Sequence, residues 1–509
     1  MNNAPWLRTT GIFIGIAYAF LPAVLAGDPL PKDTRTLTEL SLKQAQAIAT
    51  KGGNVALDSL KTLSPEVAAA LAPQAGDLSF DNLHTLSNGT ATALGKHIGG
   101  LYLDGLKALD EEAGVGLAMH FGDLSLDGLE SLSPAVAAAL ARHQGDLYLG
   151  GLSSISLEVA TALKTFSYGL FLDGLTSLSD DVARTLAERG GYLSLDGLKV
   201  PSPDIAAILA THVDELSLSG IRELSVPLAE TLAAHAGGLY LDGLNVLGQA
   251  SAAALAKHRG DLSLGGLHTF AAATAEAIAP HEGGLLLDGL KSLDPPTAAG
   301  LAMSKSDLSM GGLVRIDAAV ASALASHPGS LALAAVTAID DTTARALGDH
   351  RGNLSLNRLK SLSLAAAAGL AKSSHSLSLN GIDKLSPEAA GELGKHKSPL
   401  VLNGLRSLTP QVAEALAKRE SGLELGGLMA VADPVAAALS KHRGTLVLNG
   451  VTKLSPAAAE SLATHRGIVI LNGMPSTPPE IAKILRKNNK IMFPQKVPSS
   501  SERSGAKAK

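Results

Sequence analysis

The sequence predicts an α/β solenoid with short parallel strands on one face and short helices on the other. Nineteen consecutive segments of 23 residues fill residues 55–491 of the 509-residue chain, without insertion or deletion. Within each segment, apolar residues first alternate and then recur at helical spacing. A fixed short period is typical of a solenoid, in which each unit contacts only its neighbours.

The strand of each unit is predicted at its start. We number the positions of a unit from one to 23, so that position one is Val55 in the first unit and Val469 in the last. In a typical unit, Leu124 and Leu126 stand at positions one and three, which places both on the buried face of a short strand. The side chain at position two then faces away from the core.

The helix of each unit has a predicted start, buried side and end. Position ten is Ser, Thr or Asp in 15 of the 19 units, and these residues cap helix N-termini. Position fourteen is Ala in 18 units and Gly114 in the other, which indicates a close approach of helix to sheet. Position seventeen is Leu in 18 units and Ile278 in the other. Basic residues and a Gly near the end suit a left-handed cap, and we expect about ten residues per helix.

These units resemble leucine-rich repeats over residues 55–491. The L-x-L strand, the buried Leu after it and the return helix carry the resemblance, and the 23-residue length is similar to the short repeats of bacterial surface proteins. The resemblance implies a curved solenoid with a concave parallel sheet, used mostly to bind proteins or other large ligands. In one respect the chain departs from that family, which usually has Asn three residues after L-x-L. Here that place is Leu, as at Leu129, and an Asp or Asn directly follows L-x-L, as at Asp127.

The N-terminal residues predict export. Arg8, the mostly apolar residues 10–26 and the small residue Ala26 fit a signal peptide over residues 1–26. The apolar run is short for a membrane span, so we expect no stable span after cleavage, and a retained N-terminal anchor is the alternative. The predicted location is therefore extracytoplasmic: secreted, periplasmic or at the cell surface.

Two further segments flank the repeats. Residues 27–54 are predicted to be a linker and an N-terminal capping half-repeat, with Leu37, Leu40, Ala45 and Ile48 at positions six, nine, fourteen and seventeen. Residues 492–509 are polar and basic and are predicted to be a disordered tail.

Composition excludes several classes of protein. The chain has no Cys, which excludes disulfides. Its net charge of −5 is too mild to indicate a nucleic-acid partner, and aromatic residues make up only 3%. Ser, His and Asp recur in units throughout the chain, so no catalytic set stands out. We expect no enzymatic activity and no cofactor or metal site.

In a solenoid, one unit position becomes a row of side chains. Position twenty is His in 12 units, which predicts partly exposed histidines that bond the last carbonyls of their helices, with a pH switch as the alternative. These residues are His97, His120, His143, His212, His235, His258, His281, His327, His350, His396, His442 and His465.

Position four is Asp in eight early units and Asn in five later ones. The Asp or Asn side chain is expected to bond backbone amides of its own turn, with a following Gly at positive φ, and Ca²⁺ bridging is the alternative. The residues are Asp58, Asp81, Asp104, Asp127, Asp173, Asp196, Asp242, Asp288, Asn357, Asn380, Asn403, Asn449 and Asn472.

Position two supplies the candidate ligand-binding residues Tyr102, Tyr148, Phe171 and Tyr240. If the strand face binds a ligand, these aromatic side chains are natural anchors, whereas the alternative is that they only fill surface grooves. The sequence thus predicts an exported, non-enzymatic recognition or scaffold protein that binds a protein or cell-envelope macromolecule through the repeat surface. The alternative is a structural spacer of the cell envelope without a specific ligand.

Overall fold

Twenty two-residue strands form one parallel sheet in the computed structural model, which describes residues 30–474 and 477–494. Each strand pairs with the next in chain order, and Leu at position one lies opposite its equivalent, as Leu124 does with Leu147. A helix connects every two consecutive strands, and consecutive helices pack side by side. The predicted α/β solenoid is confirmed.

The strands are β1 Val55–Ala56, β2 Leu78–Ser79, β3 Leu101–Tyr102, β4 Leu124–Ser125, β5 Leu147–Tyr148, β6 Leu170–Phe171, β7 Leu193–Ser194, β8 Leu216–Ser217, β9 Leu239–Tyr240, β10 Leu262–Ser263, β11 Leu285–Leu286, β12 Leu308–Ser309, β13 Leu331–Ala332, β14 Leu354–Ser355, β15 Leu377–Ser378, β16 Leu400–Val401, β17 Leu423–Glu424, β18 Leu446–Val447, β19 Val469–Ile470 and β20 Ile491–Met492.

The helices are α1 Leu42–Lys51, α2 Pro65–Leu71, α3 Asn88–Leu94, α4 Glu111–Leu117, α5 Pro134–Leu140, α6 Leu157–Leu163, α7 Asp180–Ala187, α8 Pro203–Leu209, α9 Val226–Leu232, α10 Gln249–Leu255, α11 Ala272–Ile278, α12 Pro295–Ala302, α13 Ala318–Leu324, α14 Asp341–Leu347, α15 Leu364–Leu370, α16 Pro387–Leu393, α17 Pro410–Ala417, α18 Asp433–Leu439, α19 Pro456–Ala463 and α20 Pro479–Leu485.

One continuous apolar core runs between the sheet and the helices, from Ala45 to Ile491. The leucines at positions one, three, six and seventeen form it together with the small residue at position fourteen. In the unit of α5, for example, Leu124, Leu126, Ala137 and Leu140 are all fully buried. Since the strand and helix of a single unit leave these side chains open on both sides, the neighbouring units must supply the burial.

Each helix begins where the sequence predicts and ends earlier than expected. All fifteen Ser, Thr and Asp side chains at position ten accept the amide N–H of the residue three positions on, as Ser133 Oγ does from Val136 at 3.2 Å. After α1, however, the helices have only seven or eight residues instead of about ten. They end because the amide at position twenty turns back to the carbonyl at position seventeen, as His143 N does to Leu140 O at 2.9 Å.

The glycines of the unit serve close packing more than unusual backbone angles. In the described chain, positive φ occurs only at Gly52, Gly53, Gly122, Gly145 and Gly191. None of these directly follows position four, and only the last three stand after the helix of a 23-residue unit, so the expected positive φ is absent after position four and absent from most helix ends. Instead, a Cβ at Gly220 would lie 1.8 Å from the carbonyl oxygen of Asp196, and one at Gly260 would lie 1.9 Å from that of Gly237. A neighbouring unit leaves no space for a side chain at either place.

The two ends of the sheet differ from the interior. At the N-terminal end, Ala45 and Ile48 of α1 are buried, and Thr34 Oγ1, in a short 3-10 helix (Thr34–Thr36), donates a hydrogen bond to Ala56 O on β1 at 2.7 Å. At the other end, β19 and β20 pair Val469 with Ile491, so this last spacing is 22 residues. Ile491, which the repeat pattern makes the last residue of a unit, is therefore the first residue of a strand.

The predicted signal peptide (1–26) and most of the predicted tail (492–509) lie outside the described residues. Among the helices of residues 30–474 and 477–494, none is both long enough and apolar enough to cross a membrane.

The packing at position fourteen is open to a direct test with two substitutions in α5. Ala137→Leu adds three carbons where the side chain is fully buried, so we expect a loss of about 1–3 kcal/mol in the free energy of unfolding through overpacking. Ala138→Leu is the matched control, because this neighbour is exposed. Urea unfolding followed by circular dichroism measures both, and equal midpoints for the two variants would contradict the packing assigned to position fourteen.

Candidate functional site

The predicted aromatic residues lie on the outer face of the sheet. Tyr102, Tyr148, Phe171 and Tyr240 belong to β3, β5, β6 and β9, and all four side chains are partly exposed. The rings of Tyr148 and Phe171 stack with their centroids 4.1 Å apart and their planes 12° from parallel. Tyr102 is separated from this pair by strand β4, whose position two is the buried Ser125.

A fifth aromatic side chain, which does not stand at position two, links the others. Tyr192 is at position 23, directly before β7, and its ring centroid is 5.1 Å from that of Phe171 and 5.6 Å from that of Tyr240. The Tyr192 ring reaches that of Tyr240 on β9 across β7 and β8, which carry the small residues Ser194 and Ser217 at position two. We call Tyr102, Tyr148, Phe171, Tyr192 and Tyr240 the aromatic row.

Two places before three of the four aromatics at position two, the sequence has a glycine that bears on this arrangement. Gly100, Gly169 and Gly238 precede Tyr102, Phe171 and Tyr240. A Cβ at Gly100 would lie 2.9 Å from Cε2 of Tyr102, and one at Gly169 would lie 3.1 Å from Cε2 of Phe171. These rings therefore lean toward the start of their strands, into space that glycine leaves open.

Two rows of acidic side chains border the aromatic row. One follows the strands at position four and consists of Asp58, Asp81, Asp104, Asp127, Asp173, Asp196, Asp242 and Asp288. The other precedes the strands at position 23 and consists of Asp77, Asp123, Asp146, Glu215, Asp261 and Asp307. Since position two lies between positions 23 and four of successive units, carboxyl groups flank the aromatic rings on both sides.

The position-four side chains bond the next unit and not their own turn, contrary to the prediction. Asp104 Oδ1 accepts the hydroxyl of Ser125 at 2.5 Å and the amide of Asp127 at 3.1 Å. In later units Asn takes the same role, since Asn403 Oδ1 accepts the amide of Gly426 at 2.6 Å. Asp and Asn are thus equivalent as acceptors at this position, and they differ in charge.

No ion pair of the described residues neutralises the acidic rows. None of the six ion pairs found among residues 30–474 and 477–494 includes a carboxyl of either row. Burial and the repulsion of neighbouring carboxylates raise the pKa of Asp123, Asp127 and Asp196 above the usual value. Burial, together with the surrounding acids, raises the pKa of the Tyr148 phenol to about 12. The aromatic row therefore lies in a strongly negative environment.

This negative charge belongs to one half of the chain. Residues 30–284 contain 29 Asp and Glu but only 15 Lys and Arg, a net charge of −14. Residues 285–494 contain 16 acidic and 22 basic residues, a net charge of +6. In this second half, position four is mostly Asn, and the partly exposed residues Val401, Val447 and Ile470 stand at position two.

The histidines of position twenty are buried, which corrects the expectation that they are partly exposed. All twelve are at most 2% exposed. Their rings stack along the solenoid, as between His97 and His120, whose centroids are 5.9 Å apart. The Nδ1–H of His120 donates to the carbonyl of His97 in the preceding unit at 2.8 Å. The row therefore lies inside the solenoid, and five of its rings bond a carbonyl of the preceding unit: those of His97, His120, His212, His327 and His396.

Two buried arginines interrupt the histidine row. The guanidinium of Arg189 donates to four carbonyl oxygens, including those of Tyr168 at 2.5 Å and Tyr192 at 2.8 Å. Burial lowers the pKa of Arg189, like that of Arg419, to about 10, so both remain charged at neutral pH. Arg189 fixes the backbone of Tyr192 and so helps to position a member of the aromatic row.

Among the residues that the structure describes, no group of three or more His, Asp or Glu side chains is arranged to hold a metal ion. The position-four carboxylates point along the row and accept hydrogen bonds from serines and amides.

Comparison with known proteins gives similarity in solved structures only. No family model matches the chain, and no curated protein sequence matches it. An internalin from Listeria monocytogenes is similar with 14% identity and a TM-score of 0.35, over 67% of this chain and 90% of the internalin. A leucine-rich-repeat protein from Leptospira interrogans has 16% identity and a TM-score of 0.22, over 89% of this chain and 98% of that protein. A chain of the Toll–Spatzle complex of Drosophila has 12% identity and a TM-score of 0.34, over 87% and 60% of the two chains.

The strands, helices and turns of this chain define its fold. Its strands repeat L-x-L in register, a helix returns each strand to the next, and side chains at position four join consecutive turns. The fold is a leucine-rich-repeat-like solenoid. In this solenoid, Asp or Asn directly after L-x-L makes the unit-to-unit hydrogen bonds.

The buried histidines predict that the solenoid loses stability in acid. Burial lowers the pKa of eleven of the twelve, to about 4 for His120, His350 and His442. These neutral histidines contribute fully to the free energy of unfolding above pH 6.5, which is about the pKa of His in the unfolded chain. The contribution is lost as the pH falls from there through the lower pKa values that the histidines have in the folded chain. At about 1.4 kcal/mol per pKa unit, we expect the melting temperature to hold above pH 6.5 and to fall by about 10 °C or more toward pH 4.

Substitution by Asn separates this effect from general acid unfolding. Asn488 already occupies position twenty in the last unit, where its Nδ2 donates to the carbonyls of Ala463 and His465 at 3.2 and 2.8 Å. The triple variant His120→Asn, His350→Asn and His442→Asn should therefore lose less stability between pH 6.5 and 4 than the parent. Asn at the exposed His84 and His268 is the control. An unchanged pH dependence in the triple variant would disprove the role of the row.

Proposed function

We propose that this chain is an exported, non-enzymatic recognition scaffold that binds a protein or other macromolecule through the outer face of its sheet. The observation that carries the proposal is the aromatic row, which is partly exposed and spans β3 to β9. Tyrosine side chains contribute large contact areas at little entropic cost, and they are enriched among the residues that dominate binding energy.

The geometry favours a large ligand over a small one. At about 4.8 Å between neighbouring strands, the six intervals from Tyr102 to Tyr240 extend over about 29 Å. The units are uniform in length, so no inserted loop encloses a cavity at this face. An extended, open surface of this kind is suited to a macromolecule, which can contact several units at once.

Serine substitutions test the face without disturbing the fold, because Ser is a common residue at position two. We expect Tyr102→Ser, Tyr148→Ser and Tyr240→Ser together to reduce ligand capture about tenfold or more, since aromatic anchors are removed. The matched control is Val401→Ser, Val447→Ser and Ile470→Ser, at the same unit position in the other half. The measurement is quantitative capture from an extracytoplasmic extract on the immobilised chain, with melting temperatures recorded for all variants.

Two results are informative. Proteins retained by the parent and the control, but not by the tyrosine variant, support recognition through this face. Identical capture by all three chains, with unchanged melting temperatures, would favour the spacer without a specific ligand and would contradict the proposal.

Export makes a separate prediction about the mature chain. Cleavage after Ala26 would leave Gly27 as the first residue. Intact-mass measurement of the protein recovered outside the cytoplasm should give this mass, whereas a chain that keeps residues 1–26 would support the retained anchor.

A further inference from the structure

Apolar contact alone does not account for the surroundings of the aromatic row. The tyrosines of this row lie between carboxyl groups: Asp77, Asp123 and Asp104 surround the phenol of Tyr102, and Glu215, Asp261 and Asp242 surround that of Tyr240. If the aromatic rings only filled grooves between neighbouring side chains, two rows of carboxyl groups beside them would not be needed. Like charges placed side by side also repel, and no ion pair among the described residues relieves them.

The second half of the solenoid shows that these charges are not required for folding. Asn380 Oδ1 accepts the amide of Asn403 at 2.9 Å, in the same way that Asp127 Oδ1 accepts the amide of Gly150 at 2.5 Å. At position 23, Asn353 Oδ1 likewise accepts the amide of Ser376 at 3.2 Å, as Asp146 does from Gly169 at 2.8 Å. The hydrogen bonds need the oxygen and not the charge, so the carboxylates around the aromatic row are available for another purpose.

We propose that the aromatic row and its two acidic borders bind an extended, arginine- or lysine-rich segment of a partner protein; this inference rests on the function proposed above. Cationic side chains are attracted both to carboxylates and to the faces of aromatic rings. The partner is therefore complementary to the face in charge as well as in shape. At about 3.3 Å per residue, a segment of roughly nine extended residues would cover the distance from Tyr102 to Tyr240.

The stacked pair Tyr148 and Phe171 is the expected centre of this contact. Asp146 directly precedes β5, the strand of Tyr148, and Asp123 and Asp127 stand before and after the adjacent strand β4. A guanidinium group placed over these rings would have carboxyl groups on both sides. A planar guanidinium stacks on aromatic rings better than a compact ammonium does, so we expect an arginine-rich segment to bind more tightly than a lysine-rich one.

A synthetic peptide provides a defined probe. We expect a fluorescein-labelled ten-residue peptide that alternates Arg and Ser to bind the full chain in fluorescence anisotropy at about 50 mM salt, and to bind more weakly as salt rises. Asp123→Asn, Asp127→Asn and Asp146→Asn together should raise its dissociation constant about tenfold or more, while the melting temperature stays close to that of the parent. Tyr148→Ser with Phe171→Ser should also weaken binding.

The control removes the same charge from elsewhere in the same half. Glu112→Gln, Glu230→Gln and Glu276→Gln lie on exposed helix positions of α4, α9 and α11, and they should leave the dissociation constant within about twofold of the parent. Equal weakening by both triple variants would mean unspecific attraction to an acidic protein and would overturn the inference. Equal binding of a peptide that alternates Glu and Ser would overturn it as well.

Two further outcomes separate this inference from the proposed function. In the first outcome, the variant with Ser in place of the three tyrosines loses ligand capture, but the variant with Asn at 123, 127 and 146 keeps it. The face then binds a ligand that is not cationic, so the proposed function stands and the inference fails. In the second outcome, sedimentation shows that the parent chain self-associates at low salt and that the variant with Asn at 123, 127 and 146 does not. The basic half of a second copy then occupies the face, which overturns the assignment to a partner protein.

Discussion

The whole structure depends on burial that no unit can achieve alone. Ordering one unit costs on the order of 1–2 kcal/mol per residue in backbone entropy, and its strand of two residues and helix of seven leave their leucines uncovered. Stacking covers Leu124, Leu140 and their equivalents completely. Because this burial is shared between neighbours, the spacing of the units must be the same throughout, which explains why the period tolerates no insertion between Val55 and Val469.

The same spacing governs the polar groups. Strand amides, position-four side chains and several histidines at position twenty, such as His120, bond groups of an adjacent unit, about 23 residues away in the sequence. A polar side chain buried in such a solenoid is therefore satisfied only when its neighbour is folded. Stability along the chain is then cooperative between adjacent units, and a defect at one histidine or one small residue affects the units on both sides of it.

Much of the fold was predictable because its determinants are local. The alternation around Leu124 and the caps such as Ser133 act within a few residues, so a single unit reveals them. The burial of His120 was not predictable in this way, since the carbonyl that it bonds belongs to the preceding unit. The length of the helices was overestimated because the basic residues and the Gly that suggested a helix end stand at about positions nineteen to 22, whereas most helices already end at position seventeen.

In the candidate site, too, features set within one unit could be predicted, and features that depend on neighbouring units could not. Tyr148 and Phe171 could be identified because position two alternates with buried leucines. Tyr192 could not, because it stands at position 23 and reaches Tyr240 across two strands. The glycine two residues before Tyr102, Phe171 and Tyr240 was visible in the sequence, but its meaning depends on the direction in which each ring leans.

The separation of acidic and basic residues along the solenoid has a consequence at long range. With −14 charges in residues 30–284 and +6 in residues 285–494, distributed along a sheet about 90 Å long, the molecule has a large permanent electric dipole. Near a charged layer, such as anionic lipid or polymer, it would experience a torque as well as an attraction. Its basic end would turn toward the layer and its acidic end away from it, so the molecule would take up a preferred orientation before any specific contact formed.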